Sequence, residues 1–167
     1  IEVMPVDLVI NTTSCTIFSK LLGTETELKY RGVILVMLEL ATAEVLPKGV
    51  DFIYVDDKEI YFNRVSDQNS FVKTPTTDST IMCCEITYSP DDLYDLMPEN
   101  QLVEAVKDQF SGLGLCSRDS IGDSKVIKLP EVYPMYFKGY QVALNNTRAK
   151  FDKIRNLYTL GSLAEFI

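Results

Sequence analysis

The chain has 167 residues, of which 46% are hydrophobic, and a formal net charge of −8 at pH 7. This length suits one domain or slightly more, with enough apolar residues for a sizeable core. The acidic balance argues against a nucleic-acid partner, because neutralising phosphates requires a local excess of lysine and arginine. No apolar run approaches the roughly 20 residues of a membrane span, and there is no signal-peptide pattern. The four cysteines are expected to be buried reduced thiols, which predicts a cytoplasmic protein.

Residue usage also excludes several kinds of site. The chain contains no histidine, so a Ser-His-Asp or Cys-His catalytic constellation is excluded. Its four cysteines include no C-x-x-C pair, and we predict no metal site. Cys83 and Cys84 are adjacent in an apolar run, so the alternation of a strand predicts that one packs in the core and the other does not. No glycine-rich dinucleotide or phosphate loop is present.

Taken in chain order, the periodicity predicts strands interrupted by helices. The predicted strands cover residues 7–12, 30–40, 52–55, 60–65, 80–88 and 125–129. The predicted helices cover residues 15–22, 98–112 and 141–156, and a polar loop covers 66–79. The run at 30–40 is rich in Val, Ile and Leu, which indicates a central strand.

Local signals support these helices. Ser14 can cap the first helix and Gly23 can end it. The apolar positions of the second helix recur at intervals of three and four, so one face is expected to pack on the sheet; they are Leu102, Val103, Val106 and Phe110. We predict an α+β fold with a mixed β-sheet and helices packed on one face.

Arginine and tyrosine are the residue types that could carry a binding site. Arg64 follows Ile60-Tyr61-Phe62-Asn63 near the end of an apolar strand. An arginine there either reaches solvent or an ion-pair partner, or meets an anion in a cleft. Tyr133-Pro134-Met135-Tyr136 places two phenols in a segment that proline makes extended. Tyr136 and Tyr140 could stack on a planar ligand or fill the core.

Several of these pieces occur in a recognisable order. They are Tyr30-Arg31-Gly32-Val33, Ile60-Tyr61-Phe62-Asn63-Arg64-Val65-Ser66, Cys84-Glu85-Ile86-Thr87, Tyr133-Pro134-Met135-Tyr136 with Gly139-Tyr140, and residues 157–166. In this order and spacing they resemble the FAD-dependent flavin amine oxidase superfamily, specifically its protoporphyrinogen-oxidase-like and UDP-galactopyranose-mutase-like branches. The resemblance spans nearly the whole chain.

The resemblance implies that the chain is a central substrate-domain fragment of a longer FAD-dependent enzyme and is inactive alone. Residues 1–13 would include a strand returning to a missing FAD domain, and residues 14–132 would form the substrate-binding domain. Residues 133–167 would lead back to the FAD domain. The implied partners are a small-molecule substrate, anionic or a sugar nucleotide, and the remainder of the same polypeptide.

The resemblance also implies roles for individual residues. Arg64 occupies the place of an arginine that meets the substrate diphosphate in the mutase branch, and Arg31 matches another arginine of that branch. Tyr133 and Tyr136 would line the substrate site. Thr12 and Gly161 would approach the FAD, which we expect in the full-length protein and not bound to this chain. No residue of the chain is expected to be catalytic.

Three functional hypotheses follow. The first is the substrate-binding part of an oxidoreductase of the amine oxidase or protoporphyrinogen oxidase type. The second keeps the family but replaces the reaction with sugar-nucleotide mutase chemistry, which has no net redox change. The third is a non-catalytic interaction domain whose exposed aromatic residues dock a partner.

Overall fold

A computed structural model describes residues 5–72, 74 and 78–167, which form two compact units. Unit 1 combines the described residues up to Arg31 with Glu131–Ile167, and unit 2 is Gly32–Pro130. The strands are β1 (Val9–Asn11), β2 (Tyr30–Leu40), β3 (Phe52–Tyr54), β4 (Arg64–Asp67), β5 (Thr80–Tyr88), β6 (Ile121–Pro134) and β7 (Leu157–Thr159). The helices are α1 (Cys15–Leu21), α2 (Leu93–Leu96), α3 (Glu99–Gly112), α4 (Tyr140–Phe151) and α5 (Ser162–Glu165).

The centre of unit 2 is a five-stranded sheet in the order β3-β4-β5-β2-β6. The pairs β3–β4, β4–β5 and β5–β2 are antiparallel. Alternate residues of β2 and β5, such as Val36 and Cys84, are fully buried in one cluster with Val106 and Phe110 of α3. The helix therefore covers one face of the sheet, as the 3–4 spacing of its apolar residues predicts. Together with the parallel strands of unit 1, this confirms the predicted α+β class.

Unit 1 contains a separate, two-stranded parallel sheet, in which Val9 pairs with Leu157 and Asn11 with Thr159. Three helices belong to this unit, and α1 begins at the predicted cap, because the Ser14 side chain accepts a hydrogen bond from the Ile17 amide. The buried side chains of this unit form a second core. They are Cys15, Phe18, Leu28, Tyr30, Ala143, Leu144, Phe151 and Phe166.

Two predicted boundaries differ from the structure for identifiable reasons. The strand predicted at residues 60–65 begins only at Arg64. Before it, the Tyr61 amide donates to Oε1 of Gln109 on α3, 2.9 Å away, and Phe62 is buried in the core. The Tyr61 amide is thus satisfied by the helix, and regular strand pairing resumes only at Asn63, whose amide donates to the Glu85 carbonyl at 3.0 Å.

The last third of the chain also departs from the prediction. The strand expected at residues 125–129 is β6, which runs through Pro130, a residue tolerated because β6 is the last strand of its sheet. Helix α4 ends at Phe151, five residues before the predicted end. The chain then turns, and residues that could have continued the helix pair with β1 as β7.

The predicted loop at 66–79 holds the end of β4 and a 3₁₀ turn at Gln68–Phe71, and residues 73 and 75–77 lie outside the described part.

Gly32 allows a close approach between two strands of unit 2. It lies directly across from Tyr88 in the β2–β5 pair. A Cβ atom at this position would lie only 2.3 Å from Cε1 and Cζ of the Tyr88 ring. The ring therefore packs over the space that a larger residue would fill.

Within the described residues, no helix is both long and apolar enough to cross a membrane.

Candidate functional site

The sequence-predicted site residues divide between the two units, so each group is described by itself. Arg64 belongs to unit 2. The other five belong to unit 1: Thr12, Arg31, Tyr133, Tyr136 and Gly161.

Arg64 is paired with Glu85 on the neighbouring strand. The two residues are direct cross-strand partners in the β4–β5 register. Nε of Arg64 donates to Oε1 of Glu85 at 2.7 Å, and Nη2 lies 2.6 Å from the same oxygen. The Glu85 side chain is only 12% exposed and the Arg64 side chain 37%. The structure thus gives Arg64 the ion-pair partner that the sequence allowed.

Two aromatic residues of β3 extend this group. Tyr54 lies across from Arg64 in the β3–β4 register, and Phe52 lies across from Ser66. The two rings meet edge to face with their centroids 5.6 Å apart, and Cζ of Arg64 lies 5.9 Å from the centre of the Phe52 ring. Tyr54 is 72% exposed. The guanidinium is therefore held between a carboxylate and an aromatic ring, next to a solvent-facing phenol.

The alternation of the strands places this group on the face of the sheet opposite α3. Val65 and Cys84, which flank Arg64 and Glu85 in sequence, belong to the core that α3 covers. Side chains of neighbouring residues point to opposite faces, so Arg64 and Glu85 point away from the helix. A shallow cavity of about 150 Å³ is lined by Met37, Glu39, Ile81, Asp123, Ser124 and Lys125. By the same alternation Met37 and Ile81 belong to this face, which we call the open face.

Cys83 also lies on the open face, but it is buried. The sequence predicted that only one of Cys83 and Cys84 would be buried, which is wrong, since their exposures are 3% and 0%. The two thiols occupy opposite faces as expected, and both faces are covered at this point of β5. Burial raises the pKa of the Cys83 thiol to about 11, with Glu85 adding to the rise and Arg64 opposing it. The thiol is therefore protonated at neutral pH and is not an activated nucleophile.

In unit 1, a backbone hydrogen bond between two chain segments brings the predicted substrate residues near one another. The Met135 amide donates to the Lys29 carbonyl at 2.9 Å, which places residues 133–135 beside the start of β2, where Arg31 lies. Arg31 and Tyr133 are exposed. Tyr136 is 57% exposed, and its ring meets those of Tyr140 and Phe166 with centroids 5.1 and 5.6 Å away. Tyr136 is thus both part of an aromatic cluster and open to solvent.

The two predicted cofactor residues also come together. Thr12 and Gly161 follow β1 and β7, which are paired and parallel, so both lie at the carboxyl edge of this sheet. Gly161 has φ of +95°, and a Cβ there would meet nothing within 4 Å. Asn11, only 4% exposed, has an Nδ2 group with no hydrogen-bond partner among the described residues. The carboxyl edge of a parallel sheet is where α/β proteins bind ligands.

A partly buried polar network that the sequence did not predict lies at the start of α1. The hydroxyl groups of Ser14 and Thr16 both donate to Oε2 of Glu131, the latter at 2.5 Å. The Cys15 amide donates to the Tyr30 hydroxyl, which donates in turn to the Leu163 carbonyl at 2.7 Å. Burial raises the pKa of Tyr30 well above its usual range. The hydroxyl is thus a fixed structural bridge and not an acid.

Sequence reasoning also missed Phe52, Tyr54 and Glu85. Glu85 carried a usable signal, because it interrupts the run Ile81-Met82-Cys83-Cys84-Glu85-Ile86 of a buried strand. A carboxylate in such a run is expected to have a cationic partner. Phe52 and Tyr54 carried no comparable signal, since alternate aromatic residues in a strand are equally typical of a core face. Within the described part of the chain, no cluster of three potential metal ligands is found.

Comparison with solved structures identifies the fold. The chain is similar to a crystal structure of reduced UDP-galactopyranose mutase, with a TM-score of 0.77 and 15% identity over 98% of this chain and 37% of that one. It is also similar to a protein from Exiguobacterium sp. 255-15 provisionally assigned as a protoporphyrinogen oxidase, with a TM-score of 0.69 and 14% identity over 95% of this chain and 36% of that one.

The chain thus spans just over a third of the length of these two structures. No family model and no curated protein matches the sequence. At this identity the likeness concerns the fold and not the activity. The resemblance to the flavin amine oxidase superfamily drawn from the sequence is therefore confirmed at the level of the fold, which this chain shares with a UDP-galactopyranose mutase and a protein assigned as a protoporphyrinogen oxidase.

Proposed function

We propose that the chain is the substrate-binding part of an FAD-dependent oxidoreductase of the amine oxidase or protoporphyrinogen oxidase type, with the FAD domain supplied by the rest of the polypeptide. The observation that carries this proposal is the parallel pair β1–β7. Parallel sheets are normally covered on both faces, and two strands alone are marginally stable. One face of this pair instead exposes a row of apolar side chains, each more than 50% exposed: Leu8, Ile10, Tyr158 and Leu160.

Such a face is expected when further strands and helices of a larger parallel sheet pack against it. In the proposed enzyme these belong to the FAD domain, and Thr12 and Gly161 hold the cofactor at the carboxyl edge. The exposed glycine, around which a Cβ would meet no neighbour, and the orphaned amide of Asn11 both fit a ligand at this edge. FAD, when bound, supplies the ring that accepts or donates electrons.

The substrate would be contacted by this chain. Arg64 would bind an anionic group through its guanidinium, and its position on the open face supports this role. Arg31, Tyr133 and Tyr136 are proposed as further substrate contacts, supported by their exposure. The three buried free thiols, Cys15, Cys83 and Cys84, support a reducing, cytoplasmic location.

The visible absorption spectrum of the full-length gene product tests the cofactor. We expect flavin bands in the purified wild-type protein. Gly161→Val should contain less bound flavin per protein, because the valine side chain would fill the space proposed for the cofactor. Gly112→Ala, a change at the end of α3 in unit 2, is the control. A colourless full-length protein that binds no added FAD would refute the proposal.

Substrate titration of full-length Arg64→Ala tests the anion contact. If Arg64 binds a desolvated anionic group, the substitution should weaken binding by ~2–5 kcal/mol. Unchanged affinity would remove Arg64 from the site without affecting the proposal for FAD.

A second candidate is a flavoenzyme acting on a sugar nucleotide. It is favoured by the higher TM-score and coverage of the UDP-galactopyranose mutase structure, 0.77 and 98% against 0.69 and 95%. Thermal-shift measurements on the full-length protein with a UDP-sugar separate the two candidates. A rise in Tm with the UDP-sugar but not with the matching free sugar supports the mutase-like enzyme, and no rise argues against it.

A non-catalytic interaction domain is the remaining alternative. It predicts that the chain is monodisperse by itself and that the full-length protein carries no yellow chromophore. The same spectrum therefore decides this alternative as well.

A further inference from the structure

We propose that Glu85 is a positioning residue, which orients the Arg64 guanidinium on the open face for contact with the substrate. This inference rests on the proposed function only in the identity of what Arg64 contacts. The orientation itself is a property of the chain, and it can be measured without a ligand.

Burying the Glu85 carboxylate costs free energy. It lies in β5, the middle strand of the sheet, and is only 9% exposed. Its neighbours in the register are Arg64 on one side and Leu35 on the other. Removing a carboxylate from water is unfavourable, and replacing a buried ion pair with apolar residues is often neutral or stabilising. Stability alone therefore gives little reason for a carboxylate at this position.

The other described ion pairs emphasise the contrast. Arg118 bonds to Glu104 and Asp108, whose side chains are 63% and 72% exposed. Such surface pairs cost little to form and contribute little. The aspartate of the Lys128–Asp95 pair is 22% exposed, and Glu85, at 12%, is less exposed than the acid of any other of these pairs.

Two hydrogen bonds and an aromatic ring orient the Arg64 guanidinium. Nε and Nη2 of Arg64 both bond to one oxygen of Glu85, which fixes the guanidinium along its edge. The Phe52 ring lies 5.9 Å from Cζ and restricts motion out of that plane. Without the carboxylate, the guanidinium would lose both hydrogen bonds to its Nε–Nη2 edge, and more of a side chain with four rotatable bonds would have to be ordered on binding. Glu85 thus prepares the guanidinium before the substrate arrives.

Two substitutions of Glu85 are expected to have different effects on anion binding. Glu85→Gln keeps an acceptor oxygen at the same place but removes the negative charge, which would otherwise repel an anion bound to Arg64. Glu85→Ala removes the acceptor as well. A positioning role therefore predicts that Gln preserves anion binding and that Ala loses it, whereas a merely structural role predicts no such difference.

The binding experiment uses the full-length protein and UDP as the anionic probe. We expect Glu85→Ala to bind UDP at least about tenfold more weakly than wild type. We expect Glu85→Gln to bind no more weakly than wild type, and Glu104→Gln, which alters a surface pair on α3, to match wild type. Wild-type affinity in Glu85→Ala, or equal loss in Gln and Ala, would overturn the inference. If Arg64→Ala also binds like wild type, the proposed anion contact fails instead.

A second measurement tests the inference even if UDP does not bind. With ¹⁵N-arginine labelling, the Nε–H signal of Arg64 reports the order of its guanidinium on the fast timescale of side-chain motion. We expect an ordered Nε–H group in wild type and in Glu85→Gln, and a mobile one in Glu85→Ala. An Nε–H group that stays ordered in Glu85→Ala, or is mobile in wild type, would refute the positioning role.

Discussion

Replacing Gly32 with alanine tests the packing of β2 against β5 directly. The added Cβ would lie 2.3 Å from two ring atoms of Tyr88 and 2.6 Å from its hydroxyl oxygen, so the ring must move. Tyr88 is only 3% exposed, and Lys128 Nζ lies 4.9 Å from its ring centre, so displacement loses both burial and a cation–π contact. Overpacking of this kind costs about 1–3 kcal/mol.

A matched substitution isolates the steric effect. Gly122 also lies in a strand of the same unit, and a Cβ there would meet only the Glu39 carbonyl oxygen at 3.7 Å, an ordinary contact. Alanine at this position should be neutral or stabilise by about 0.4–1 kcal/mol, because it reduces the freedom of the unfolded chain. Any difference between the two variants is therefore due mainly to the Tyr88 ring.

The assay is urea unfolding followed by far-ultraviolet circular dichroism, extended to a double-mutant cycle with Tyr88→Leu. Leucine lacks the ring atoms that the new Cβ would strike, so Gly32→Ala should cost about 1–3 kcal/mol less on that background. Hydrogen exchange of the β5 amides locates the effect in unit 2. The reasoning is refuted if Gly32→Ala and Gly122→Ala behave alike, or if Tyr88→Leu does not reduce the cost.

The other predictions concern the buried hydroxyl and thiol groups. Tyr30→Phe should lower the unfolding free energy by about 1–3 kcal/mol, because it leaves the buried Cys15 amide without its acceptor. Tyr158→Phe, at an exposed position, is the control. Equal effects of the two substitutions would contradict a structural role for the Tyr30 hydroxyl. The Cys83 thiol has a folded pKa of about 11 and ionises near about 8.5 in the unfolded chain. The contribution of this thiol to the free energy of unfolding should therefore be fully present below about pH 8.5. It should be lost as the pH rises towards 11, by up to about 1.4 kcal/mol per pH unit. If the free energy of unfolding of Cys83→Ala falls with pH as steeply as that of wild type, the thiol is not the cause. In native protein, Cys116, the half-buried cysteine, should react first with a thiol reagent, and mass mapping of the label would show any other order.

Local signals predicted most of the elements, because they act over a few residues. Helix α1 begins directly after Ser14 and ends before Gly23, as expected. The apolar runs of β2 and β5 have the predicted limits of Tyr30–Leu40 and Thr80–Tyr88. The failures involve partners distant in sequence. Residues 60–63 have strand-like composition, yet the Tyr61 amide bonds to Gln109, 48 residues away.

The candidate site shows the same division. Arg64 could be singled out because a cation in an apolar strand is unusual, but its partner Glu85 lies on the next strand, and no local pattern connects the two. The pairing of Thr12 and Gly161 at one sheet edge likewise depends on a parallel strand pair whose members are almost 150 residues apart. Glu131 bonds to Thr16 and Ser14, which lie 115 and 117 residues away in the chain, and the sequence offers no signal for these contacts.

The division of the chain into a continuous and a discontinuous unit has a consequence for vectorial synthesis on the ribosome. Residues 32–130 can complete their own core as soon as they have emerged. Residues 5–31 must wait for residues 131–167, which are made later, because α5 is held by the Tyr30 hydroxyl, the Cys15 thiol and Arg148, which bond to the carbonyls of Leu163, Ala164 and Glu165. In pulse-labelled refolding, amides of β5 should therefore gain protection before those of β1, and simultaneous protection would show that the two units form together.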